Sequence, residues 1–370
     1  MKLFTTLRLG ALELPNRIVM APMNRSRAGE GKVPTEMTAL YYVQRAAAGL
    51  IVTESTNISH QGSNSFRQPG LYTEAQLAGW RRVTREVHAA GGRIFVQLFH
   101  AGRQSHVDFQ PGNAVPVAPS AIPARVEKRT AAGEFRPLPV PRALETGEVW
   151  GIVEDFRRAC ILANEAEFDG VELHGGNGFL IEQFLRSGCN QRDDIFGGSP
   201  ERRTRFLREV AGAAVAELGP GRVGVRLSPR KAFNDMHDDD PVATYTAAIR
   251  ALNDLEMAYV HLTEEPPNAG IAASPGTDGL HERLRAEYRG TVILNGGYDR
   301  ERAESDLRSG AADLISFGNL FISNPDLPER FRLGARLNEV DRSTVYFGGE
   351  KGYTDYPTLA DQEAGAAAAQ

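Results

Sequence analysis

Eight short apolar runs, each followed by a longer amphipathic segment, predict an α/β chain folded as a (β/α)8 TIM barrel with an N-terminal hairpin and a lid insertion after the third strand. Three observations carry that expectation. The alternation holds along the chain without a break in composition. Each apolar run is almost continuously hydrophobic, as parallel strands covered on both faces require. The 370 residues suffice for one large α/β domain with a sizeable core. Residues 1–360 are read as one barrel, with the lid at 101–144 and a frayed tail at 361–370. A doubly wound sheet with a second domain is the alternative, and the unbroken alternation favours the barrel.

In chain order, "FTTLRLGALELPN" reads as a small hairpin that closes the bottom of the barrel. The strands follow as "RIVMAPM" (17–23), "GLIVTES" (49–55), "RIFVQLFH" (93–100), "GVELHG" (170–175), "VGVRLSP" (223–229), "YVHLTE" (259–264), "TVILNGG" (291–297) and "LISFGN" (314–319). A helix after the second strand takes Thr73 as its cap and stops at Gly91. Another is capped by Ser199, with Pro200 at its first position and Gly219-Pro220 as its stop. "NPDLPERFRLGARLNE" supplies the helix after the last strand. The Pro-rich connection 101–144 is too long for an ordinary loop and predicts a lid or binding insertion.

A formal net charge of -5, with both signs interspersed, argues against nucleic acid or an anionic membrane as a partner. No apolar run approaches the ~20 residues needed to span a bilayer, and the N-terminus lacks the apolar core of a signal peptide. Cys160 and Cys189 are expected as free thiols in a cytoplasmic protein, a monomer or homodimer acting on a small molecule.

Reactive side chains of such barrels sit at the C-terminal strand ends. Here those ends offer Met23 and Asn24, Ser55, Gln97 and His100, His174 and Asn177, Arg226, His261 and Thr263, Asn295 to Gly297, and Gly318 with Asn319. There is no cluster of carboxylates and no Ser-His-Asp order. His100, His174 and His261 have no acidic ligand beside them, so no metal is predicted. Neutral hydrogen-bonding groups, one arginine and glycines after the last two strands suit a phosphate-bearing cofactor with a flat polar ring. "HGGNG" has the wrong spacing for a dinucleotide fingerprint, which favours FMN over FAD.

The motifs "NRIVMAPMNRSRA", "YYVQRAAAGLIVTE", "VQLFHAGRQSH", "VELHGGNGFLIEQFL", "NQRDDIFGGSPERR", "FGNLFISNPDLPERF" and "GYTDYP" occur in order from about residue 3 to 357. They resemble the Old Yellow Enzyme family of FMN-dependent ene-reductases. That resemblance implies a barrel in which NADH or NADPH reduces FMN, which then passes hydride to electron-poor alkenes such as enones, quinones or nitro compounds. It places His174 and Asn177 on the substrate's oxygen and Phe179 where many members have a proton-donating Tyr. Cofactor contacts are implied at Ala21, Pro22, Met23, Asn24, Ser55, Gln97, His174, Arg226, Asn295, Gly296, Gly297, Gly318 and Asn319, and substrate contacts also at Phe66, Phe99, Tyr346 and Phe347.

The departures matter as well. Phe179 has no proton to give. Asn24 stands where Thr or Cys is common, and Phe99 where Trp is common. Asn319 replaces an Arg that usually grips the phosphate, which should loosen FMN. Phe179 keeps a flavin-dependent isomerase or desaturase open, and Phe179 with Asn319 keeps open a barrel that binds a ligand without turnover. Arg192, Asp193, Asp194 and Arg202 are expected to tie loops together rather than to act on substrate.

Overall fold

Eight parallel strands close on themselves in sequence order: β3 (Ile18–Met20), β4 (Leu50–Asn57), β5 (Ile94–Phe99), β10 (Gly170–Gly175), β11 (Val223–Leu227), β12 (Tyr259–Thr263), β13 (Thr291–Asn295) and β14 (Leu314–Phe317). The last returns to the first, with Ile315 opposite Ile18 and Phe317 opposite Met20. This computed structural model describes residues 1–130, 133–264 and 273–368. The apolar runs overshoot several strands, because their last residues leave the ladder to form the loops of the mouth. The major helices outside the barrel are α1 (Glu36–Val43), α2 (Glu74–Ala89), α3 (Thr146–Glu165), α4 (Leu180–Leu185), α5 (Pro200–Arg203), α6 (Arg205–Leu218), α7 (Pro241–Asn253), α8 (Leu280–Glu287), α9 (Arg300–Ser309), α10 (Asn319–Ser323), α11 (Leu327–Leu333) and α12 (Leu359–Ala368).

The barrel interior is layered. Its lower layer is apolar, with Val19, Leu50, Phe95, Tyr259, Ile293 and Leu314 in one buried cluster. The antiparallel hairpin of β1 (Leu7–Leu9) and β2 (Leu12–Leu14) adds Leu9 and Leu14 to that cluster. Glycine at 224 makes room for this filling, since a Cβ there would stand 2.3 Å from the Tyr259 ring. One strand period higher the same faces carry Gln97, Glu172, Arg226, His261 and Ser316, so the filling turns polar toward the mouth.

Two expectations change. The helix predicted from Ser199 to Gly219 is divided at Thr204, whose hydroxyl bonds back to the Pro200 carbonyl (2.7 Å) and tightens one turn between α5 and α6. Residues 361–368, expected as a frayed tail, belong to α12. Its start is a reciprocal cap: Asp361 Oδ2 accepts from Thr358 N (2.9 Å) and Asp361 N donates to Thr358 Oγ1 (3.2 Å). Alanine has the most favourable helix propensity, which lets the segment continue from that start; residues 369–370 lie outside the described residues.

The connection 101–144 holds a short parallel pair, β6 (Val117–Ala118) with β9 (Arg142–Ala143), and a hairpin of β7 (Glu127–Arg129) with β8 (Phe135–Pro137). Arg192 pairs with Asp194 (2.5 Å) and donates to the carbonyls of Pro119 (2.9 Å) and Leu144 (2.5 Å), while Arg202 donates to the carbonyls of Asp193 and Asp194. These charges tie the connection to the loop before α5. Among the described residues no helix is long and apolar enough to cross a membrane.

Candidate active site

A cavity of about 860 Å³ opens at the C-terminal ends of the strands, toward the upper end of small-molecule sites. Pro22, Asn24, Ser55, Gln97, His174, Asn177, Phe179 and Arg226 line its floor, and Phe66, Tyr346 and Phe347 its mouth. The structure therefore brings eleven sequence-predicted residues around one space. Ala21, Met23, Asn295, Gly296, Gly297, Gly318 and Asn319 are not part of that lining. They belong to the neighbouring strand ends. Asn295 accepts from Arg226 Nη2 (3.0 Å), and a Cβ on Gly318 would stand 3.6 Å from Met23 Sδ. Phe99 is corrected: it is fully buried and packs behind the wall, its ring 5.0 Å from that of Phe179.

His174 ends β10 at a fixed tautomer. Its Nδ1 accepts from the Gly176 N–H (3.3 Å), so the ring proton sits on Nε2. Burial, aided by Arg226, His261 and Lys231, pushes its pKa well below the usual range and keeps the ring neutral. The chain then turns through two left-handed residues, Asn177 (φ 57°) and Gly178 (φ 83°), into α4. Asparagine tolerates that conformation, and a Cβ on Gly178 would lie 2.8 Å from Asn234 Cβ. Glu182 secures the turn. It accepts from Gly178 N (2.6 Å), Ser228 Oγ (2.9 Å), Tyr245 OH (2.7 Å) and Arg186 Nε (2.9 Å). Ser228 Oγ in turn accepts from Asn177 N (2.8 Å). Phe179 sets its ring edge-on to His174 at 4.8 Å and brings no donor.

Gln97 is held from below. Its Nε2 donates to Glu172 Oε1 (2.7 Å), leaving the carbonyl oxygen and the second N–H for a partner. Glu172 is fully buried and also meets His261 Nδ1 (2.8 Å) and Tyr259 OH (3.1 Å), while His261 Nε2 meets Ser316 Oγ (2.8 Å). Burial alone would raise the Glu172 carboxyl, but His261, Arg226 and Gln97 outweigh it and hold it ionised. The ring site thus has an acceptor and donor on Gln97 beside the Arg226 cation. That set fits the imide edge of a flavin. Gly297 and Asn319 are exposed and so accessible to a phosphate, whereas Arg302 is engaged with the Gly296 carbonyl (2.8 Å) and Glu264.

Sequence reasoning missed part of the site. Glu172 lies two residues before His174 on one strand, so a period-two reading would have put both on the same face. Phe233 and Asn234 after β11 also line the cavity, and no local pattern marks them; Gln104, Phe109 and Val126 to Thr130, which line it too, belong to the connection read above as a lid or binding insertion.

A parallel barrel with a buried polar floor of this composition can hold a flat, phosphate-bearing cofactor at its mouth. Residues 2–338 match the model of the NADH:flavin oxidoreductase / NADH oxidase family. A solved morphinone reductase superposes with a TM-score of 0.93 at 46% identity, covering 97% of each chain. The Old Yellow Enzyme homologue from Zymomonas mobilis gives 0.92 at 40% identity, covering 97% of this chain and 100% of that one. Among curated proteins, 12-oxophytodienoate reductase 7 of Oryza sativa subsp. japonica is 42% identical over 96% of this chain and 94% of its own. The chain belongs to this family. It is an FMN-dependent NAD(P)H oxidoreductase that reduces activated alkenes, and the isomerase, desaturase and non-catalytic readings are not favoured.

Proposed function

We propose that His174 and Asn177 bind and polarise the oxygen of the electron-poor alkene, that Gln97 and Arg226 hold the flavin ring, and that Phe179 leaves protonation to solvent. The reading is carried by one observation: the neutral imidazole fixed with its proton on Nε2 and the Asn177 amide line the same cavity as Gln97 and Arg226. Bound FMN would supply the two-electron hydride chemistry that links a reduced nicotinamide to the electron-poor alkene. A carbonyl or nitro oxygen that accepts from both donors gathers negative charge as the alkene is reduced. Donors already in place stabilise that charge without reorganisation. Gln97 orients the ring edge, and Arg226 offsets negative charge beside it. The amides of Gly296, Gly297, Gly318 and Asn319 hold phosphate, with no guanidinium at 319.

The α-carbon then needs a proton. Phe179 has none, so the proton is assigned to water entering from the mouth, with the Tyr346 hydroxyl there as the other source. Enones, quinones and nitro compounds share the oxygen this pair requires. The solved morphinone reductase complex with tetrahydroNAD supports placing the nicotinamide in this same cavity, with NADH or NADPH as the donor. Two buried free cysteines support a cytoplasmic setting for a monomer or homodimer.

The test separates the half-reactions. Asn177→Ala removes one donor and is expected to slow reoxidation of the reduced enzyme by an enone on the order of 10²-fold. Reduction by NAD(P)H, which builds no oxyanion at that position, should change far less. Stopped-flow absorbance follows both, and an unchanged enone half-reaction contradicts the assignment.

A further inference from the structure

The polarising pair has a cation beside it that the family motifs do not mark. The loop after β11 grips Asn177 at three points. Ser228 Oγ accepts its N–H (2.8 Å), Asn234 Nδ2 donates to its carbonyl (2.8 Å), and Lys231 Nζ donates to its side-chain oxygen (3.5 Å). The backbone that presents Lys231 is fixed. Arg186 Nη2 donates to the carbonyls of Ser228 (2.8 Å) and Lys231 (2.9 Å), and Arg186 is fully buried against Glu182. The neighbouring Arg230 serves elsewhere, with Glu264 (3.2 Å) and Asp278 (3.8 Å).

The chemistry of the amide gives the contact its meaning. An ammonium has only donors, so it meets Oδ1 and leaves the Nδ2 hydrogens for the substrate. The reversed amide would set two N–H groups against a cation. Lys231 is not part of the cavity lining, whereas Asn177 is.

We propose that Lys231 is a positioning residue for the polarising pair: its ammonium fixes Asn177 with its nitrogen toward the substrate and lays positive charge behind the oxygen that becomes an oxyanion. The inference rests on the reading of Asn177 given above. It bears on Phe179 as well. With no acid at position 179, the enolate waits for its proton, and a fixed charge near its oxygen makes that wait less costly. Among the described residues, the charged or titratable groups near this position include His174 and Arg226 on the floor, Glu172 and His261 beneath it, and Glu182 with Arg186 behind Ser228.

The test uses the oxidised holoenzyme and p-nitrophenol, a flat phenol whose ionisation is visible. Its phenolate mimics the oxyanion. In Lys231→Met the ionisation midpoint of the bound probe should rise by about one pH unit, a tenfold loss of preference for phenolate over phenol. Lys231→Arg should stay close to wild type. Lys231→Gln keeps a donor without charge; its midpoint should fall between those two, and it carries the test if the Met variant does not fold. A wild-type midpoint in the Met and Gln variants overturns the proposal, as does an Arg variant displaced as far as Met. Asn177→Ala keeps the two readings apart. If it shifts the midpoint while Lys231→Met does not, the Lys231 inference alone fails. If Asn177→Ala leaves the midpoint unchanged, the reading of Asn177 fails.

Discussion

On and just beneath the floor of the cavity Gln97, Glu172, His174 and His261 are each at most 4% exposed, whereas at its mouth Phe66, Tyr346 and Phe347 are 52, 57 and 43% exposed. The first group rides on barrel strands, and each member has hydrogen-bond partners around one buried carboxylate or a backbone amide. Leaving any of these groups without a partner would cost more than the net value of an ordinary hydrogen bond, so one arrangement is enforced. The second group rides on loops. Its contacts are soft: Phe66 lies edge-on to Phe109 at 4.8 Å, and the Arg129 guanidinium stands 5.7 Å from the Phe347 ring. Such contacts hold a side chain near a place without fixing it. The floor can therefore meet a transition state with donors already aimed, while the mouth selects by shape.

The largest expected effect sharpens the floor. Phe179→Tyr adds an acid beside His174 in the space that Phe179 already fills. Enone reduction should accelerate by ~10²-fold if the hydroxyl reaches the α-carbon. Product from an α-methyl enone reduced in heavy water should also gain stereochemical purity, read by NMR. Equal rates and equal α-selectivity would mean that position 179 does not address the α-carbon.

A smaller effect is expected where the floor gives way to exposed loops. Asn319→Arg adds a charged, bidentate donor at an exposed position beside Gly318. FMN affinity should rise by about tenfold, the order of one charge-assisted hydrogen bond. Equilibrium dialysis of the flavin checks it. No change would place the phosphate away from the start of α10. The smallest effect belongs to the mouth. Phe347→Ala should raise KM for a bulky enone by about threefold, consistent with partial loss of an exposed ring's contact, and leave kcat unchanged. A fall in kcat would show that the mouth takes part in the chemistry.

The same contrast governs what the sequence made legible. The barrel, its eight strands and the residues at their ends follow from hydrophobic runs and a period of two, because a strand's faces are set by local geometry. Gln97, His174 and Arg226 were found that way. Asn177 was picked out beside His174 at the strand end, but its role needed the motif, since its left-handed turn leaves no periodic mark. Lys231, Phe233 and Asn234 became visible only with the fold, because the loop that carries them is anchored by Arg186 from another unit of the barrel. Phe99 was misassigned to the wall because a strand end does not reveal whether an aromatic ring stands in front of it, as Phe179 does here. The tail was misread because its alanines were taken as a sign of fraying, while the cap formed by Thr358 and Asp361 was overlooked.

The claim that chemistry resides in the floor is tested most directly by single-turnover reoxidation of the reduced enzyme with a simple enone in two double variants. One is His174→Ala with Asn177→Ala; the other is Tyr346→Ala with Phe347→Ala. The account predicts a fall of at least ~10²-fold in the limiting rate of the first, and in the second a weaker apparent affinity with the limiting rate unchanged. A wild-type limiting rate in the first variant, or a comparable fall in the second, would contradict it.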